Sequence, residues 1–348
     1  MGESMRLGLQ KSTNEKSSIK MFPSYVTRTP NGTETGSFLA LDLGGTNYRV
    51  LSVTLEGKGK SPTIQERTYC IPAEKMSGSG TEGLNVKCVA VVNDTVGTLA
   101  SCALEDSKCA VGLIVGTGTN VAYIEDSSKV ELMNGVKEPE VVINTEWGAF
   151  GEKGELDCWR TQFDKTMDID SLHPGKQLYE KMVSGMYLGE LVRHILVYLV
   201  EQKILFRGEL PERLKVRNSL LTRYLTDVER DPAHLLYNTH YMLTDDLRVP
   251  VVEPIDNRIV RYACEMVVKR AAYLAGAGIA CILRRINRSE VTIGVDGSLY
   301  KFHPKFCERM TDMVDKLKPK NTRFCLRLSE DGSGKGAAAI AASCSRQN

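Results

Sequence analysis

Histidine is scarce in this sequence, at five in 348 residues, and tryptophan scarcer still, at two. So few imidazoles leave little from which to build a histidine metal cluster. Ten cysteines are scattered along the chain, but no two form a C-x-x-C pair, which argues against zinc ribbons and thioredoxin-type sites. Several lie in apolar runs, as Cys88 and Cys281 do, and read as reduced, buried thiols of a cytoplasmic protein. A basic block is missing too. The 45 Lys and Arg are interleaved with 43 Asp and Glu, for a formal charge of +2, so no nucleic-acid partner is expected. Residues 1–20 are polar and lack the apolar stretch of a secretory signal. No apolar run is expected to reach membrane-spanning length, so membrane insertion is not expected either. The remaining composition, 42% hydrophobic and 25% charged, is that of a globular chain long enough for two lobes.

What the chain does have is one short device used twice. The run Phe38-Leu39-Ala40-Leu41 leads into Asp42-Leu43-Gly44-Gly45-Thr46-Asn47 and returns as Tyr48-Arg49-Val50-Leu51. Later, Val111-Gly112-Leu113-Ile114-Val115 leads into Gly116-Thr117-Gly118-Thr119-Asn120 and returns as Val121-Ala122-Tyr123-Ile124. Either turn alone would serve as a plain hairpin. As a pair they point to two lobes holding one phosphate chain from opposite sides. Glycines let backbone N–H groups close on phosphate oxygens, and threonine adds a hydroxyl donor. Asp42, ending its strand, is a candidate to hold Mg²⁺ through water, because Mg²⁺ keeps much of its hydration shell.

The rest of the pattern alternates strands with helices, an α/β protein. Strands are expected at 37–43, 47–55 and 63–71, with a Ser/Gly-rich bridge at 75–83. Val86–Val92 reads as a short strand buried on both faces, followed by a helix over 96–104. Pro139–Thr145 is a further strand. Long helices are expected over 175–206 and 257–286, a strand at 291–295, a helix at 303–316, a strand at 322–328 and a last Ala-rich helix. Gly332-Ser333-Gly334-Lys335-Gly336, which opens that helix, is not a P-loop, because its spacing fails and Gly336 follows the Lys.

Asn93-Asp94 stands where an apolar strand meets a helix start. As structure, Asp94 is an N-cap worth about 1 kcal/mol. As chemistry, it is a carboxylate at a cleft mouth that can take a hydroxyl proton, a role worth roughly 10²–10⁴-fold in rate. Asn120, Asn144, Glu146 and Glu180 form a further polar set. Amides and carboxylates of this kind recognise neighbouring sugar hydroxyls. From spacing alone, the plainer reading as solvated loop residues is favoured.

Taken together, the motifs resemble those of the eukaryotic hexokinases. The resemblance lies in Leu41 to Val50, Val92 to Thr98, Gly116 to Asn120, Asn144 to Gly151, Pro174 to Met182 and Val295 to Tyr300, in the family's order, and covers about 20–348. It implies the actin-like ATPase (ribonuclease H-like) fold, with two lobes around a cleft, and transfer of the ATP γ-phosphate to the 6-hydroxyl of glucose or another hexose. By position it implies Asp94 as the base, and Asn93, Asp94, Asn120, Asn144, Glu146 and Glu180 as hexose-binding. Asp42, Gly44, Gly45, Thr46, Asn47, Arg49, Thr117, Gly118 and Thr119 would surround ATP phosphates and Mg²⁺, and Gly297 and Ser298 the adenosine. The expected organisation is a lead-in over 1–36, a small lobe over 37–94 joined by a helix over 331–348, and a large lobe over 95–330.

One departure from the family pattern matters. The family's Ser-Phe-Pro strand and its Thr-Lys loop, both of which contact the sugar, are missing, because Glu82 runs through Gly83 straight into Leu84-Asn85-Val86. The small lobe is therefore expected to lack one central strand and its helices. Either the strand at 86–92 slides into the slot, moving Asp94 by about 4.8 Å, or the lobe is left frayed. Both outcomes imply a splice form or remnant with weak or no activity. The alternative is a non-catalytic nucleotide-binding partner.

Overall fold

The first sheet follows from strict alternation. In the computed structural model, which describes residues 1–43, 47–57, 60–70, 88–133, 137–232, 234–329 and 331–345, the lead-in holds helix α1 (Gly2–Leu9) and a two-residue strand, β1 (Phe22–Pro23). Strands β2 (Thr35–Leu43), β3 (Asn47–Glu56) and β4 (Thr63–Cys70) then form an antiparallel meander in the order β2-β3-β4. Ala40, Leu51, Val53 and Leu55 point to one face and are buried. On the other face Leu39 and Leu41 are 58% and 61% exposed. Among the described residues β2 has no neighbour on its outer side.

The strand expected at 86–92 does not form over its described part. Residues 88–92 have no regular structure, and Val91 is 89% exposed. The physical reason is the missing neighbour: a short apolar strand is stable only where its backbone groups are paired. Of the two outcomes foreseen for the slot, this is the frayed one. Residues 71–87, including the junction itself, lie outside the described residues.

Helix α2 (Asp94–Glu105) leads into β5 (Cys109–Val115), β6 (Thr119–Asp126) and β7 (Glu140–Asn144). A helical block follows, comprising α3 (Gln162–Ile169), α4 (Leu178–Val183), α5 (Gly185–Glu201), α6 (Glu212–Lys215), α7 (Thr222–Arg230), α8 (Tyr237–Tyr241) and the 33-residue α9 (Pro254–Ile286). Strand β8 (Glu290–Asp296), α10 (Ser298–Phe302), α11 (Phe306–Leu317), β9 (Arg323–Leu328) and α12 (Gly332–Ser345) complete the fold. The second sheet has six strands in the order β1-β7-β6-β5-β8-β9, with β5, β8 and β9 parallel.

The lead-in reaches into the main core through buried Met5, Leu9, Ile19 and Met21. Three expectations are corrected. The helix expected over 175–206 is broken at Ser184, whose extended backbone frees Gly185 and Met186 to donate their N–H groups to the carbonyls of Gly116 and Thr117, at 2.8 and 3.1 Å. The helix expected at 303–316 is two helices, α10 and α11. Helix α9 is long and apolar enough to cross a membrane by length and composition, although 61% of its most apolar stretch is buried inside this fold.

Helix α12 closes the small sheet. Ala338 and Ala342 pack on Ala40, Leu51, Val53 and Leu55, and the same helix crosses α2. The Gly-rich run at 332–336, which forms the start of α12 itself, serves that crossing.

Candidate active site

The second sheet delivers its polar residues to one end. β5 and β6 form an antiparallel hairpin whose turn is Gly116–Gly118, and β8 runs parallel to β5. The turns after β5 and β8 therefore meet. Gly297, at φ +121°, lies where a Cβ would come within 2.3 Å of the Val115 carbonyl oxygen, so only glycine lets the two backbones touch. Thr117 and Ser298, side by side across this contact, are both exposed. They border a cavity of about 390 Å³ that Gly185, Met186, Thr222 and Thr226 also line. The α7 residues were not foreseen, because no local motif ties Thr222 to a turn about a hundred residues earlier.

Next to this turn is a cluster of amides and carboxylates. Asn120 Nδ2 donates to Asn144 Oδ1 at 2.8 Å and to Glu146 Oε1 at 3.0 Å, and Asn144 Nδ2 donates to the same Glu146 oxygen at 2.8 Å. Asn93 Oδ1 lies 3.5 Å from Asn120 Nδ2. Glu180 accepts from the Thr119 backbone N–H at 3.0 Å. These residues come from the start of α2, from β6, from the end of β7 and from α4. Glu146 holds a left-handed backbone, φ 51°, which turns the chain out of β7 and aims its carboxylate back at the strand end. On the far side of Glu180, buried Lys181 pairs with Asp168 at 2.6 Å and bonds Ser171 and the His173 carbonyl, a clamp sequence reasoning missed.

The N-cap of α2 is Asn93, not Asp94: Asn93 Oδ1 accepts from the Thr95 N–H at 2.9 Å. Asp94 is the first helical residue and also accepts from Thr95, at 2.8 Å. It opens to solvent at the cleft mouth, yet burial within the surrounding protein pushes its carboxyl up, and the charges of Glu146 and Asp42 push the same way. Asp94 thus sits between the amide cluster and the small sheet. Glu180 is likewise pushed up, first by burial and then by Glu146.

On the small-lobe side, Gly44, Gly45 and Thr46 lie outside the described residues, and Asn47 is placed only as the first residue of β3. Arg49 does not stand free for a phosphate. Its Nε donates to Asp42 Oδ2 at 3.1 Å, a second guanidinium nitrogen pairs with the same oxygen, and its Nη1 bonds Asp331 Oδ1 at 3.0 Å. Ser333 Oγ also reaches Asp42 Oδ2, at 3.1 Å. The bonds to Asp42 from Arg49 and Ser333 all go to Oδ2, so among the described residues Oδ1 is open to a cation or to a water that holds one. Thr119 departs from expectation as well. It is 3% exposed, and its hydroxyl donates to the Ile114 carbonyl at 3.0 Å. Such a hydroxyl is not available to a phosphate.

The sequence profile of a family described as hexokinase matches residues 110–343, and a second profile of the same description matches residues 1–82. This chain belongs to the hexokinase family. A hexokinase of Schistosoma mansoni is 80% identical over all of this chain and 93% of its own length. Hexokinase-1 of Homo sapiens is 40% identical over 98% of this chain, which spans only 45% of that protein. The solved structure of the Schistosoma mansoni hexokinase complexed with glucose superposes with a TM-score of 0.93, covering 99% of this chain and 93% of that one. Another hexokinase crystal structure, 27% identical, gives 0.79 over 98% and 92%. The fold is the hexokinase version of the α/β actin-like ATPase fold, and by family the chain is a phosphotransferase that uses ATP. The alignment with the Schistosoma mansoni sequence runs over 419 positions against 348 residues here, so 71 positions lack a counterpart. The second profile's match stops at residue 82, beside the Glu82-Gly83 junction.

Proposed function

We propose that this chain is an ATP-dependent hexose phosphotransferase whose turnover is attenuated by its shortened small lobe. In this reading the 6-hydroxyl of glucose or a similar hexose gives its proton to Asp94 and attacks the γ-phosphorus of ATP, whose bond to the β,γ-bridging oxygen breaks so that ADP leaves and the hexose 6-phosphate is formed. Asn93, Asn120, Asn144, Glu146 and Glu180 hold the remaining hydroxyls. Thr117, Gly118, Gly297 and Ser298 would face the nucleotide, and Asp42 would hold Mg²⁺, through water. When bound, Mg²⁺ would offset charge on the phosphate oxygens. The protein's own part is positioning and electrostatics, which carry most of the catalysis in phosphoryl transfer.

One observation supports this best. The Asn120–Asn144–Glu146 cluster lies beside a carboxylate, Asp94, that feels both Glu146 and Asp42. Attenuation is supported by residues 88–92, which pair with no strand just before Asn93 and Asp94. A base tethered to an unpaired segment loses alignment, and an error of about 1 Å costs about 10²-fold. The free thiols among the described residues support a cytoplasmic setting. A coupled assay for hexose 6-phosphate, with purified chain, glucose and MgATP, tests the proposal. Turnover about 10²-fold below the 1–100 s⁻¹ usual for kinases is expected. Ordinary turnover refutes the attenuation, and the absence of glucose binding refutes the hexose reading. In that case nucleotide binding alone would favour a non-catalytic remnant, the reading the open edge of β2 supports.

A further inference from the structure

Thr119 lies in a phosphate-type turn yet turns its hydroxyl inward. The hydroxyl donates to the Ile114 carbonyl at 3.0 Å and receives the indole N–H of Trp147 at 3.3 Å. Its own backbone N–H meanwhile donates to Glu180 Oε2 at 3.0 Å. Trp147 directly follows Glu146, and Tyr179 directly precedes Glu180. The two rings meet edge to face, with centroids 5.4 Å apart. Both press on α9 at Gly278, where a Cβ would come within 2.7 Å of Trp147 Cζ3 and 2.9 Å of the Tyr179 hydroxyl. The Tyr179 hydroxyl donates to the Leu274 carbonyl of the same helix at 2.7 Å. Trp147 and Tyr179 are each 1% exposed.

We infer that Thr119 is a positioning residue for the hexose site, a strut that fixes Glu180 through its N–H and Glu146 through Trp147, and not a ligand of the phosphates. The geometry carries this in two ways. Glu146 and Glu180 sit on separate short elements, Glu146 as the N-cap of a 3-10 turn at 147–149 and Glu180 in α4, and away from the two carboxylates these are joined by the Tyr179 N–H bond to the Phe150 carbonyl at 3.1 Å. Thr119 bonds Glu180 directly and also the residue that follows Glu146, so it ties the two carboxylate positions together at the cleft. The hydroxyl is, in addition, closed off from the cleft by burial and by its two partners, so a phosphate oxygen would have to displace a buried hydrogen bond to reach it. The inference rests on the hexose reading above for the identity of the ligand, but not for the strut itself.

The test uses Thr119→Val, which keeps the β-branched shape and removes the hydroxyl, and Thr119→Ser, which restores it. Glucose and MgADP affinities are measured by calorimetry on the full chain. Thr119→Val is expected to weaken glucose binding about tenfold, the equivalent of one buried hydrogen bond, with MgADP affinity unchanged and Thr119→Ser near the parent. Loss of MgADP affinity equal to or greater than the glucose loss overturns the proposal, as does unaltered glucose affinity. A second readout needs no sugar. In a Trp159→Phe background only Trp147 remains, and Trp159 is exposed and makes none of the strut's hydrogen bonds or ring contacts. The indole N–H proton resonance is expected to move upfield in Thr119→Val and to return in Thr119→Ser. An unmoved resonance disproves the strut. If the parent chain binds no glucose while the resonance moves and MgADP affinity holds, the hexose reading fails and the strut stands.

Discussion

A Cβ placed on Gly336 would come within 1.8 Å of the carbonyl oxygen of Gly97. These two glycines are the crossing point of α12 and α2, and α2 begins at Asp94. The helix that roofs the small sheet is therefore pressed against the helix that carries the proposed base. Gly336→Ala has no room, since the obstacle is backbone. We expect a loss on the order of 1–3 kcal/mol or more, as for overpacked cores. Thermal melts check this, and a variant as stable as the parent would show that the two helices can separate freely.

Asp94 and Glu180 are both pushed up by burial, so each protonates at a higher pH than an exposed carboxyl. A protonated carboxyl no longer accepts a hydroxyl hydrogen bond in the same way. Glucose affinity, followed by calorimetry from pH 8 downward, is expected to fall before pH reaches the ordinary carboxylate range. Asp94→Asn should abolish residual transfer by about 10²–10⁴-fold while leaving much of the binding. An affinity flat down to pH 4 would contradict the placement of these groups in the hexose site.

Glu190 reports on folding instead. Burial would raise its carboxyl, but hydrogen bonds from His194, Arg193 and the Asn218 N–H outweigh that and hold it at about 2, against an ordinary 4.5. A depressed carboxylate stabilises the fold above its unfolded value and loses that contribution as pH drops through the folded one. Stability should thus decline between about pH 4.5 and 2, by about 3 kcal/mol from this group. Denaturant titrations at stepped pH measure it. Glu190→Gln should be less stable at pH 7 and should flatten the decline, and a variant as steep as the parent would exclude this carboxylate as the source.

The edge strand β2 carries no Lys, Arg or Pro, and Leu39 and Leu41 are open to solvent. Such an edge is a template for non-native pairing. Light scattering of the purified chain at 37 °C should rise with time, and Leu39→Lys should slow that rise severalfold, consistent with a charge on an open edge. Equal aggregation in both would assign the effect to another surface.

Much of this site was legible because its residues cluster in short runs. Asn93, Asn120, Asn144 and Glu146 each stand at a strand end or helix start, and those ends were visible as the points where apolar runs stop. Gly297 and Ser298 were legible for the same reason. The inward turn of Thr119 was not, because a Gly-Thr-Gly-Thr turn does not say which hydroxyl faces the protein. Only the packing of Trp147 decides that. The occupation of Arg49 was equally hidden: its partner Asp331 lies 282 residues away, and no local pattern reports so distant a charge. The strand expected at 86–92 failed for a further reason. Its apolar run was read as if a neighbour were present, although the sequence had already lost that neighbour.

The roof of the small sheet has a consequence for how the chain is built. Strands β2 to β4 end at Cys70, and α12, which covers their apolar face, begins at Gly332. A growing chain therefore carries Ala40, Leu51, Val53 and Leu55 without their cover while about 260 further residues are made. The small lobe is sealed last, by a contact of very long sequence separation, and such contacts form slowly.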